Sequence, residues 1–228
     1  MKRDASVVED GRRALEEVET AQRELQRAHS EAMRRLASAT ERFDHGPGHL
    51  ERVGRYAQIL GRSMQLPPVT VDELLHACPL HDIGKITIST HLLMKPSPLD
   101  SDEWELLKTH TTEGARLLAG STSSVIQMAE RIALAHHERW DGGGYPSGLA
   151  GTDIPLEARI CSVVDFFDTM AIDRSQGKAL PSDEVVRMIR LGSGTQFDPE
   201  VVDRFRSALT EIEDVRTEHS AESPKNPV

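Results

Sequence analysis

Helical periodicity recurs along this chain with little to compete with it. Apolar residues return at three- and four-residue spacing over roughly 49–65, 70–81, 101–119, 123–138, 156–172, 182–191 and 198–212, with glycine, proline or polar turns between them. Strand-like alternation is scarce. Ile86-Thr87-Ile88 is the best strand candidate, and aromatics make up only 4% of the residues. The expected fold class is therefore all-α, and 228 residues suffice for one good-sized core plus an appendage.

The appendage lies at the front. From Arg12 to Phe43 there is neither glycine nor proline, and most residues are strong helix formers. Read as heptads, Leu15, Gln22, His29, Leu36 and Phe43 share one seam position, and Val18, Leu25, Ala32 and Ala39 share the other. Glu19 with Arg23 and Glu31 with Arg35 have the favourable i,i+4 order. Residues 1–44 read as a signalling or homodimerising helix, the alternative being a helix packed on its own domain. His45-Gly46-Pro47-Gly48 breaks it and opens a compact domain over 45–210. After about Thr210 the chain turns acidic and ends Ser-Pro-Lys-Asn-Pro-Val, so 211–228 is expected to be a disordered acidic tail.

A formal net charge of −10 argues against a phosphate-neutralising surface for a nucleic acid polymer, though it leaves room for a local basic pocket. No apolar run approaches the roughly 20 residues needed to span a bilayer, and Met-Lys-Arg-Asp-Ala-Ser lacks the apolar core of a signal peptide. Cys78 and Cys161 form no CxxC and read as small apolar packing. A cytoplasmic protein without a membrane partner is expected.

His and Asp recur at turns and helix ends: His49, His81-Asp82, His110, His136-His137 and Asp165. A lone helical histidine is usually a surface or core residue, and His29, His76, His91 and His219 are left in that class. Two doublets at two helix ends are different. Neighbours on a regular helix point about 100° apart, so His136 and His137 converge only if the helix ends and its last turn distorts. Asp141-Gly142-Gly143-Gly144-Tyr145-Pro146 supplies that ending, and Gly84 is expected to end a helix after the first doublet. Imidazole plus carboxylate without thiolate favours iron, manganese, nickel, cobalt or zinc. Two such ions about 3.5–4 Å apart activate water at neutral pH and stabilise the leaving oxygen of a phosphoester.

"HDIGK" at 81–85, "KTH" at 108–110 and "HHERWDGGGYP" at 136–146 resemble the HD-GYP family, a branch of the HD-domain metal-dependent phosphohydrolases that degrades cyclic di-GMP. The likeness runs from about Gly48 to Phe205 and includes "GHLERVGRYA", "IPLEARI" and "GSGTQFDP". It implies an HD-domain helical bundle. It also implies that His49, His81, Asp82 and Asp165 form the basic metal set, that His110, His136 and His137 are added ligands, and that Asp82 bridges two ions. Lys85 matches the lysine that approaches the scissile phosphate. Gly144, Tyr145 and Pro146 match the segment that shapes the substrate pocket and offers a surface to diguanylate-cyclase (GGDEF-type) domains.

Two departures stand out. Where relatives carry a glutamate before the first ligand histidine, this chain has His45, read as a loop residue rather than a third-metal ligand. Where relatives carry Asp-Arg-Pro-Tyr and a basic residue, it has Asp173-Arg174-Ser175-Gln176-Gly177-Lys178. Arg174 remains as a substrate contact, with Lys178 as the substitute for the missing basic residue. The expected activity is metal-dependent hydrolysis of cyclic di-GMP to linear pGpG, with Asp82 and Lys85 as the catalytic pair and GMP as the product of any second cut. The alternatives are a catalytically weak cyclic-dinucleotide sensor or partner-binding module, and a hydrolase of another cyclic dinucleotide.

Overall fold

The computed structural model describes residues 11–18, 20–22, 24, 31–32, 35–38, 48–172 and 179–222, with side chains through Glu218. Every regular element among them is helical, and the pairings outside helices are two isolated bridges, Asp141 with Ala150 and Ser193 with Phe197. The all-α expectation holds.

Helix α1, His49–Ser63, buries Leu50, Val53, Tyr56, Ala57 and Leu60 along one face. It ends where Gln65 adopts a left-handed φ of 59° and Leu66 N–H closes onto Gly61 O at 3.1 Å. Pro67 and Pro68 then start α2, Pro68–Ala77, with proline where no helical donor is needed. Two 3₁₀ turns follow, Cys78–Leu80 and Ile83–Thr87, with His81-Asp82 between them. Next come the short α3 (Thr90–Leu93), α4 (Ser101–Lys108, closed by a capping box between Asp100 and Glu103), α5 (His110–Leu118) and α6 (Ser124–Ala135). After the glycine loop run α7 (Leu156–Ala171), α8 (Ser182–Leu191), α9 (Pro199–Ser207) and α10 (Leu209–Glu222).

The core gathers α1, α2, α6, α7, α8, α9 and α10. Its centre is an aromatic chain in which Phe167 on α7 meets Tyr56 edge-on at 5.7 Å and Phe205 at 5.2 Å. Helix α7 is the spine, burying Ala158, Ile160, Cys161, Val163, Val164 and Phe167.

Three expectations fail. Ile86-Thr87-Ile88 is no strand: Lys85 N–H bonds Asp82 O at 2.9 Å and Ile88 N–H bonds Lys85 O at 3.1 Å, which winds the chain into a 3₁₀ turn. Gly84 does not end a helix, since α2 stops at Ala77. It lies against α5, where a Cβ would overlap the carbonyl oxygen of His110. The disordered tail expected from 211 is instead helical to Glu222, because Ile212 and Val215 are buried in the core and hold α10 there.

At the front, the described residues between 11 and 38 are helical. Leu15, Val18 and Leu36 are exposed, whereas Ala37 is buried against the core. The seam positions His29, Phe43, Leu25 and Ala39 lie outside the described residues.

Candidate metal centre and substrate cleft

The histidines and aspartates singled out from the sequence come together from five elements. His49 opens α1, His81-Asp82 fills the gap between the 3₁₀ turns, His110 opens α5, His136 caps α6, and Asp165 lies in the middle of α7. The doublet converges as the sequence requires. Glu138 N–H bonds back to Ala135 O at 3.0 Å, which tightens the last turn and brings the His136 and His137 rings to 4.1 Å.

The donors fall into two groups, each within 4.8 Å: His49, His81 and Asp165, and Asp82, His110, His136 and His137. Asp82 stands between them. Its Oδ2 is 3.3 Å from His81 Nε2, while its Oδ1 is 3.3 Å from His110 Nε2 and 3.7 Å from His136 Nε2. Asp165 Oδ1 lies 3.5 Å from His49 Nε2 and 3.6 Å from His81 Nε2. Lys85 is buried, with Nζ 2.6 Å from Asp82 Oδ2.

The ring orientation is fixed from behind. Nδ1 of His49 meets Asp168 Oδ2 at 2.8 Å, Nδ1 of His81 meets Cys78 O at 3.0 Å, and Nδ1 of His110 meets Leu107 O at 2.7 Å. Nδ1 of His136 meets Ile132 O and Ala133 O, each at 3.1 Å. Each of these oxygens can only accept, so each Nδ1 must carry the hydrogen, and the Nε2 lone pair faces inward. His110 Nε2 and His136 Nε2 then point lone pairs at each other across 3.5 Å, an arrangement that calls for a cation. For His110 and His137 the titration behaviour agrees. Burial depresses His110 to about 4 and His137 well below the ordinary histidine value, keeping both neutral. His81 differs: burial works against a proton there, but the carboxylates of Asp82 and Asp165 outweigh it and lift that group to about 10, so its Nε2 carries a proton that a bound cation would displace. These residues fit divalent transition-metal ions in number, type and direction.

The sequence reading missed the residues that hold these candidate ligands in place. Asp168 and Arg52, one helical turn from Asp165 and His49, form a buried pair behind His49. The i,i+3 spacing of both pairs was the available signal. Glu138, inside the quoted motif but not singled out, is buried and accepts Ser147 N–H at 2.7 Å and Leu149 N–H at 3.1 Å.

Glu138 thereby ties the glycine loop down. Gly142 takes a left-handed φ of 80°, and a Cβ on Gly144 would overlap the backbone of Arg139 and His137. The loop folds back on the histidine doublet. Tyr145 N–H bonds His137 O at 3.3 Å, and its ring stacks on the His137 imidazole at 4.8 Å and 24°. Beside it opens a cleft of about 450 Å³ that His136, His137, Gly144 and Tyr145 share with Trp104, Lys108, Ser162 and Gln196. Cys78 and Cys161 are buried, and a hydrogen bond from the Cys161 thiol to Cys78 together with burial pushes that thiol up, away from ionisation. His45, Arg174 and Lys178 lie outside the described residues, and no described helix is long and apolar enough to cross a membrane.

A family model for the HD domain matches residues 20–201. A cyclic di-GMP phosphodiesterase of Thermotoga maritima is 44% identical over 73% of this chain and 45% of its own length. A 3′3′-cGAMP-specific phosphodiesterase of Vibrio cholerae is 34% identical over 79% of this chain and 35% of its own. The chain thus spans less than half the length of these curated relatives. Among solved structures, a cyclic GMP-AMP specific phosphodiesterase of V. cholerae superposes with a TM-score of 0.61 at 22% identity, over 86% of this chain and 51% of that one. With a family model spanning most of its length and a fold of the same kind, the chain belongs to the HD-domain family, and its HHERWDGGGYP string marks it as of the HD-GYP type.

Proposed function

We propose that this domain is a metal-dependent phosphodiesterase that hydrolyses cyclic di-GMP to linear pGpG, with GMP as the product of any second cut. The observation that carries the reading is Asp82, one oxygen turned to each group of donors and Lys85 against it. His49, His81 and Asp165 would hold one ion and His110, His136 and His137 the other, with Asp82 placed to serve both. Two ions bound there, iron or manganese by preference, would supply Lewis acidity toward a water and toward the leaving 3′ oxygen. Lys85 stabilises the negative charge that grows on the phosphoryl oxygens, in a buried setting where such an interaction is strong. Arg174 and Lys178 contact the dinucleotide, and the Gly144-Tyr145-Pro146 segment shapes its seat. The same loop is the surface offered to a diguanylate-cyclase-type partner. The exposed Leu15, Val18 and Leu36 form the contact of a homodimer.

The test is turnover by purified protein loaded with iron or manganese, with products separated by chromatography. Appearance of pGpG from cyclic di-GMP is expected. Binding of cyclic di-GMP without turnover under either metal would replace the enzyme by a sensor. Faster turnover of 3′3′-cGAMP, the compound named for the 34% identical relative, would reassign the substrate.

A further inference from the structure

Trp104 sits where a fold has no need of an indole. Helix α4 fully buries none of its residues, and Trp104 stays 46% exposed at the rim of the cleft that His136 and His137 share. Its ring stands nearly perpendicular to that of Tyr145, at 6.5 Å and 75°. Lys108, one turn on, lies with Nζ 5.6 Å from the Tyr145 ring centre and 2.6 Å from Glu105. Ser162 and Gln196 line the same cleft with a hydroxyl and an amide. An exposed aromatic surface, a cation and two uncharged hydrogen-bonding groups, all beside the candidate metal centre, have the make-up of a nucleobase site.

We infer that this rim is a base-binding subsite in which Trp104 stacks one purine of the substrate while Ser162 and Gln196 face its polar edge. The inference rests on the cyclic-dinucleotide reading and locates one half of that substrate. Stacking on an indole is tolerant of base identity, so Trp104 contributes affinity, and the hydroxyl and amide are the groups placed to tell guanine from adenine. Trp104 touches no donor of the metal groups, so its effect falls on substrate capture and not on the chemical step.

The experiment compares steady-state kinetics with cyclic di-GMP for the parent, Trp104→Ala and Trp104→Phe. Trp104→Ala should raise KM about tenfold, equivalent to about 1.4 kcal/mol, with kcat within about twofold of the parent. Trp104→Phe should recover most of the loss. A second readout uses Trp140→Phe, which leaves Trp104 as the chain's one remaining tryptophan, titrated with GMP while indole fluorescence is followed. Quenching that saturates is expected. An unchanged KM in Trp104→Ala, or a loss confined to kcat, would overturn the subsite, as would fluorescence that ignores GMP. A parent that turns over no cyclic dinucleotide would overturn the substrate reading instead, and the GMP titration would then decide the base site by itself.

Discussion

Arg52 donates through Nε and Nη2 to the two oxygens of Asp168, at 2.7 and 2.8 Å, and both side chains are sealed from solvent. The same carboxylate takes the Nδ1–H of His49, so one buried anion both pairs with a guanidinium and aims a candidate ligand. Asp168→Ala would take the bidentate carboxylate from the buried Arg52 guanidinium and the Nδ1–H acceptor from His49. A loss of about 3–5 kcal/mol in urea unfolding is expected, with metal affinity about 10- to 100-fold weaker. An unfolding free energy equal to the parent's would contradict this.

The pair also sets a pH dependence. Burial alone would raise the Asp168 pKa, but hydrogen bonds from His49 and Arg52 prevail and lower it. A carboxyl whose folded pKa lies below its unfolded value, about 3.9, stabilises the fold above that pH and loses the contribution as pH falls through the folded pKa. The stability gap between the parent and Asp168→Ala should therefore be flat from about pH 7 to 5 and shrink below about pH 4. A gap that widens on acidification would reverse the sign.

Metal content offers a direct count. Protein purified from cells should carry about two transition-metal ions per chain, and His136→Ala should retain roughly one fewer, since its Nε2 is one of the donors facing Asp82. Elemental analysis reads this out. Asp82→Ala, which removes the carboxylate common to both groups, should abolish hydrolysis; appreciable turnover would refute a two-metal mechanism.

For Lys85, the expected change is in kcat. Lys85→Ala removes an electrostatic group without removing a metal donor, so kcat should drop on the order of 100-fold while metal content stays near two. A change confined to KM would make Lys85 a substrate anchor instead.

Helix α10 gives a prediction about stability alone. Ile212 is fully buried, and Ile212→Ala should cost about 2–5 kcal/mol in chemical unfolding. A variant as stable as the parent would show that α10 is a loose appendage.

How far the sequence could be read depended on what each residue needed around it. The His136-His137 doublet was legible because two adjacent imidazoles at a forced helix end have few other uses. Asp168 and Arg52 were not, because a turn's spacing between two charges also describes many solvated helix faces, and only packing shows that this pair is inside. Helix α10 was hidden by its acidic composition: Ile212 and Val215 share one face, but two apolar positions among so many carboxylates read as a tail. Ile86-Thr87-Ile88 misled because three β-branched residues fit a strand or a tight turn, and the decision belonged to Gly84 pressed on α5.

That contact at Gly84 has a mechanical side. The 3₁₀ turn that directly follows His81 and Asp82 meets the first residue of α5 backbone against backbone, with no side chain between. Side chains can change rotamer to accommodate a guest, whereas two peptide units in van der Waals contact cannot. The width of the gap between Asp82 and His110 is therefore set by peptide geometry, and a cation entering there has to match a stiff gauge.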